Sequence, residues 1–137
     1  MKLCLDACVA LQMLLPDDNT DAALALQKEI RIQFHELIAP DTLPIEIAHV
    51  LTKAERQRKI DAGSAKGVLD GFLDYCPMLY PYFEYLDRAM ELSSQFRLGV
   101  FDCLYVAVSE DQNCPIVTVD KRFLELFPNQ TITPEDL

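Results

Sequence analysis

Short apolar runs alternate along the chain with stretches of helical period, and prolines and capping residues punctuate them. Leu3 to Leu5 is an apolar run ended by Asp6 and predicts a buried strand. Val9 to Leu15 predicts a brief helix closed by Pro16, and Asp18-Asn19-Thr20-Asp21 supplies N-cap residues for a helix reaching about Phe34. Leu37-Ile38-Ala39 predicts a second strand, stopped by Pro40. Asp41 or Thr42 caps the next helix, with Pro44 in its first turn, where the missing N–H costs little. There Ile47, Val50, Leu51 and Ala54 recur at helical spacing and predict the core face. A helix over 62–75 carries Gly63, Gly67 and Gly71 four apart, a pattern that predicts close helix–helix packing. Two prolines make Cys76 to Tyr82 a surface crossing. Phe83 to Phe96 reads as helix, Gly99 ends the following turn, and the nearly all-apolar Val100 to Glu110 predicts a buried helix. Pro115 to Val119 predicts a strand, Lys121 to Leu126 a short helix, and Thr131 to Thr133 a last strand. Such alternation predicts an α/β fold with a short parallel sheet flanked by helices on both faces. No repeat or linker divides residues 1–137, so a single domain is expected.

Composition narrows the classes. Half of the 137 residues are hydrophobic, enough for a real core and too many for disorder. No apolar run approaches the ~18 residues of a membrane span, and the N-terminus meets Asp6 too early for a signal peptide. A soluble cytoplasmic protein with no membrane partner is expected. Cys4, Cys8, Cys76, Cys103 and Cys114 form no CxxC pair and no Cys/His cluster, so they read as reduced, buried small hydrophobes. The net charge of −10 repels phosphates and excludes a general nucleic-acid binder.

The positions of the acids change that picture. Ligands of a parallel α/β sheet bind at the carboxyl ends of its strands. Asp6 ends the first strand and Asp120 the Pro115–Val119 strand; Glu46 lies in the first turns of the helix after the second strand, and Asp102 begins the buried helix. Singly, each has a bland reading as turn residue, N-cap or solvated first-turn acid. Asp6 and Asp102, however, are embedded in apolar sequence, Leu3-Cys4-Leu5-Asp6-Ala7 and Val100-Phe101-Asp102-Cys103-Leu104. Clustered carboxylates stay ionised only when a cation joins them, and a hard-oxygen donor set suits Mg²⁺ or Mn²⁺. Two such ions about 3.5–4 Å apart activate a water and stabilise the leaving oxygen of a phosphodiester.

Basic residues concentrate between Lys53 and Lys66, five against two acids, leaving seven basic and twenty acidic residues elsewhere. Glu46, His49, Lys53 and Arg56 follow one another at helical steps, so Lys53 and Arg56 read as a track for an RNA backbone, with an ordinary solvated helix face as the alternative. His49 reads as a spectator in that stripe.

The chain resembles the PIN-domain nucleases, and within them the VapC-like toxins of type II toxin–antitoxin systems. The resemblance rests on Leu5-Asp6-Ala7, Ala39-Pro40-Asp41 leading to Glu46-Ile47-Ala48, Val100-Phe101-Asp102-Cys103-Leu104-Tyr105-Val106-Ala107-Val108, and Val117-Thr118-Val119-Asp120-Lys121-Arg122-Phe123. It implies one PIN-like domain in three α/β/α layers and an endoribonuclease dependent on Mg²⁺ or Mn²⁺. By resemblance the catalytic quartet is Asp6, Glu46, Asp102 and Asp120, with Asp6, Asp102 and Asp120 as metal ligands. Thr118 matches the family's small hydroxyl residue, which holds a carboxylate or a metal-bound water. An RNA substrate, an antitoxin partner and a homodimer are implied as well. Cys8 departs from the pattern, standing where the family usually carries Ser or Thr; a thiol is the poorer donor, so weaker activity is expected.

Rival readings fit less well. A phosphatase of the haloacid-dehalogenase kind needs Asp-x-Asp where this chain has Asp6-Ala7-Cys8, and a receiver domain needs its phosphoacceptor at a central strand end. A stand-alone PIN nuclease, and a catalytically weak PIN-fold module that binds a protein partner, are the alternatives kept. For the latter, Tyr80-Pro81-Tyr82-Phe83 supplies candidate exposed aromatics.

Overall fold

The computed structural model describes residues 1–15 and 22–137. Its strands are β1 (Lys2–Leu5), β2 (Glu36–Pro40), β3 (Met78–Tyr80), β4 (Ile116–Val117) and β5 (Thr131–Ile132). Its helices are α1 (Ala7–Leu14), α2 (Ala22–Gln33), α3 (Leu43–Arg56), α4 (Ala65–Leu73), α5 (Leu86–Phe96), α6 (Val100–Gln112) and α7 (Lys121–Leu126), with 3-10 turns at Tyr82–Tyr85 and Pro134–Asp136. All strand pairings are parallel, in the order β3-β2-β1-β4-β5. The chain therefore builds outward from β1 through β2 and β3, then returns to the other side of β1 as β4 and β5. The crevice beyond the carboxyl ends of β1 and β4 is a topological switch point, where open α/β sheets bind ligands.

The strands are short and apolar because both faces are covered. Leu3, Cys4, Leu5, Ile38, Ala39, Ile116 and Val117 are buried, and each large one contributes roughly 1.5–3 kcal/mol by leaving water. The run from Cys103 to Ser109 in α6 is buried without a break, as its all-apolar sequence predicts. That helix lies against β1 and β2 and packs on α5, while α1 joins α2 and α3, and α3 joins α4. The result is a three-layer α/β/α arrangement. None of the helices among the described residues is long and apolar enough to cross a membrane.

Several expectations need correction. The Cys76–Tyr82 crossing contains β3, which among the described residues pairs with β2 alone; such an edge position tolerates the flanking Pro77 and Pro81. The helix expected over 62–75 begins at Ala65, because Gly63 takes φ +83 in the preceding turn and cannot sit in a right-handed helix. Gly67 and Gly71 do not admit a close-packed helix: a Cβ at either would meet open space, and both border an apolar cleft of about 840 Å³. None of the four acids lines that cleft.

Val50 is only half-buried, and the α3 core face is Leu43, Ile47, Leu51 and Ala54. Phe83 stands in a 3-10 turn, exposed, ahead of α5. Strand β4 is shorter than expected, and Thr118 to Asp120 form the turn beyond it. Cys4 and Cys103 are buried, whereas Cys8, Cys76 and Cys114 are half-buried; all five are free thiols. Pro16 and the N-cap candidates Asp18 to Asp21 lie outside the described residues.

Candidate active site

Pairing of β1 with β4 sets Cys4 beside Ile116 and Leu5 beside Val117, so the next residues, Asp6 and Thr118, leave the sheet side by side. The Asp6 N–H donates to the Val117 carbonyl at 3.2 Å, which holds the end of β1 to β4. Asp6 is 5% exposed, and its Oδ2 accepts from the Thr118 hydroxyl at 2.7 Å and from the Cys8 thiol at 3.0 Å. Thr118, fully buried, in turn accepts from the Asp120 N–H at 3.0 Å. One hydroxyl thus ties the first acid to the backbone of the last. Cys8 occupies the donor position expected of Ser or Thr, and its Sγ lies 3.5 Å from the Thr118 hydroxyl. Burial first, then the Asp6 charge, pushes the Cys8 thiol up to about 12, so it stays protonated and able to donate.

Glu46 projects from the first turn of α3. Its Oε1 accepts from Thr42, one turn earlier, at 3.1 Å, and from the Tyr105 hydroxyl of α6 at 3.2 Å. Thr42 occupies the N-cap position of α3 but makes no bond to a backbone N–H there; its hydroxyl serves Glu46 instead. Asp102 lies in the first turn of α6, whose N-cap position is Gly99, so the N-cap reading of Asp102 does not hold. Asp120 is itself the N-cap of α7, and its Oδ1 accepts from the Arg122 N–H at 2.8 Å.

The acids sense one another. Burial raises the Asp6 carboxyl, with the Asp120 charge adding to it. Burial also pushes Glu46 up to about 7, and Asp6 and Asp102 add to the rise. Asp102 is raised by burial and then by Asp6 and Asp120, against a lowering pull from Arg122. Arg122 is a residue that sequence reasoning missed, although it sits inside the Val117–Phe123 motif. Its guanidinium is anchored on the Arg97 carbonyl at 3.1 Å, which keeps a positive charge beside the crevice.

These carboxylates, with Arg122 as the cation acting on Asp102 among the described residues, leave negative charge for a metal to offset, and an all-oxygen donor set suits Mg²⁺ or Mn²⁺. Among the described residues no three acidic, His or Cys side chains are drawn together tightly enough to hold one ion. Donor chemistry therefore fits a hard divalent ion, while the spacing is open rather than a closed cage. Lys53 and Arg56 stand exposed at the far end of α3 from Glu46, with no ion-pair partner among the described residues. His49 is exposed on the same helix.

The chain is similar in sequence to known ribonucleases. The chain is 27% identical to Ribonuclease VapC3 of Pyrobaculum aerophilum over 136 residues, which cover 98% of this chain and all of that protein. It is 27% identical over 117 residues to VapC ribonuclease Mb0985 of Mycobacterium bovis, covering 85% of this chain and 84% of that protein. Ribonuclease VapC9 of Mycobacterium tuberculosis matches to the same extent. A family model described as PIN domain matches residues 3–126, which takes in β1, the switch-point crevice and α7, and the chain belongs to the PIN-domain family.

Proposed function

We propose that the protein is a metal-dependent endoribonuclease, the toxin of a toxin–antitoxin pair, acting in the cytoplasm as one PIN-like domain over residues 1–137. The observation that carries this reading is the placement of Asp6, Glu46, Asp102 and Asp120 about the β1–β4 switch point, where burial, and then neighbouring acid charge, raises the Asp6, Glu46 and Asp102 carboxyls. The names of the VapC ribonucleases among its relatives support RNA as substrate, and the resemblance to VapC-like toxins implies an antitoxin as partner. Asp6, Asp102 and Asp120 would hold Mg²⁺ or Mn²⁺, which when bound supplies Lewis-acid stabilisation of phosphodiester oxygens and a nucleophilic water at neutral pH. Glu46, with a carboxyl near neutrality, is suited to take a proton from an attacking water. Thr118 and Cys8 hold Asp6 in its rotamer. Lys53 and Arg56 offer positive charge for the RNA backbone on a helix that starts at the acid crevice. A homodimer is part of the proposal, as the resemblance to VapC-like toxins implies.

The test is cleavage of single-stranded RNA by the purified protein with Mg²⁺ or Mn²⁺, with and without EDTA. Cleavage that needs the metal and is lost in Asp6→Asn is expected; equal cutting by wild type and Asp6→Asn would overturn the assignment. Co-purification with the product of a neighbouring short gene separates a toxin from a stand-alone nuclease.

A further inference from the structure

We propose that Tyr105 and Thr42 are positioning residues that fix the Glu46 carboxylate by one oxygen and leave the other for the reaction. The inference rests on the nuclease reading above and adds two residues to it. Both hydrogen bonds land on Oε1, at 3.2 Å from Tyr105 and 3.1 Å from Thr42. Among the described residues Oε2 has no hydrogen-bond partner. A glutamate in a first helical turn has three rotatable bonds and samples several rotamers unless it is held. Here it is held from two directions: from its own helix, by a buried threonine four residues earlier, and from α6, by a tyrosine whose ring is 0% exposed. The Tyr105 ring is embedded in the unbroken buried run Cys103 to Ser109, so its hydroxyl is delivered from a rigid base. A buried tyrosine hydroxyl needs some acceptor, and any carbonyl would serve that need. What marks a positioning role is that the acceptor is a crevice acid with neither a strand nor an N-cap to hold it, and that a second donor meets the same oxygen.

The experiment compares Tyr105→Phe, Thr42→Val and Thr42→Ser in wild-type and Glu46→Gln backgrounds, using Mn²⁺-dependent RNA cleavage. Tyr105→Phe removes one hydroxyl and keeps the ring; far-UV circular dichroism and Tm confirm the fold. It is expected to lower kcat about tenfold with KM within about twofold, less than the roughly 10²–10⁴-fold that a proton-transfer group itself supplies. Thr42→Val should lower kcat several-fold, and Thr42→Ser should restore it. In Glu46→Gln, Tyr105→Phe should have no further effect, because there is no carboxylate left to position. A wild-type kcat in Tyr105→Phe, or an equal loss in both backgrounds, would overturn the proposal.

A second readout does not depend on activity. In protein carrying ¹³C at the glutamate carboxyls, the resonance lost in Glu46→Gln identifies Glu46, and Tyr105→Phe should shift it. If wild type shows no metal-dependent cleavage, the nuclease reading fails on its own. A Glu46 resonance left unmoved by Tyr105→Phe overturns the positioning role whatever the activity.

Discussion

At the carboxyl edge of the sheet Asp6 is 5% exposed and takes hydrogen bonds from Thr118 and Cys8, whereas along α3 Lys53 and Arg56 stand in solvent without an ion pair among the described residues. The two regions carry opposite charge and use it in opposite ways. In the crevice, low dielectric makes every charge strong and every unshared one destabilising. On the helix face, water and salt weaken each charge but leave it free to act on a long flexible polymer. The crevice therefore trades fold stability for local organisation, and the α3 face makes no such trade.

That contrast is broken most sharply by Asp6→Asn. Cleavage should fall by at least about 10²-fold, the scale on which groups that stabilise a transition state act. Tm in the absence of metal should rise by a few degrees, because a buried anion is replaced by a neutral acceptor. A fall in Tm together with activity would show that Asp6 serves the fold rather than the site.

The pH dependence follows from Glu46, whose carboxyl is raised from 4.5 to about 7. A raised acid contributes stability that is fully present below pH 4.5 and lost as pH rises through about 7. Asp6 and Asp102 are raised in the same direction. Metal-free protein should accordingly melt higher at pH 5 than at pH 8, with a smaller difference in Glu46→Gln. Added Mn²⁺ should raise Tm more at pH 8 than at pH 5.

Charge reversal on the other region sharpens the contrast. Lys53→Glu with Arg56→Glu should weaken RNA binding several-fold and flatten its salt dependence, by about 0.7 in the log–log slope for each phosphate no longer neutralised. Tm should barely move, as for other exposed substitutions. Unchanged binding removes the track. The smallest effect belongs to Cys8: Cys8→Ser, a better donor to Asp6, should raise kcat by no more than a few-fold, and Cys8→Ala should lower it modestly because Thr118 still donates at 2.7 Å. Steady-state kinetics with one RNA substrate reads both.

What the sequence made legible divides along the same line. The strand ends, the buried α6 and the places of Asp6, Asp102 and Asp120 are written in local pattern, because an acid closing an apolar run has few places to go. The partners of Glu46 are not. Tyr105 lies 59 residues from Glu46, and nothing in its apolar surroundings separates a core tyrosine from one whose hydroxyl serves an acid. Thr42 looks like an N-cap, and only the α3 start shows its hydroxyl turned to Glu46. Strand β3 escaped for a different reason. It has three residues between two prolines and takes its identity wholly from pairing with β2.

The hydrogen bond from Thr118 to Asp6 joins residues 112 positions apart. The central strand β1 is made before the other strands of this sheet, and the neighbour that completes its crevice follows only after β2 and β3. Pairings of such long sequence separation are slow to form, because loop-closure entropy is lost before the contact rewards it. A growing chain that has reached α6 already carries Asp6, Glu46 and Asp102, yet until residues 116 to 118 have emerged and paired Asp6 lacks its Thr118 donor and has only that of Cys8. The crevice is thus complete only once β4 has paired with β1, although three of its acids are already in the chain by then.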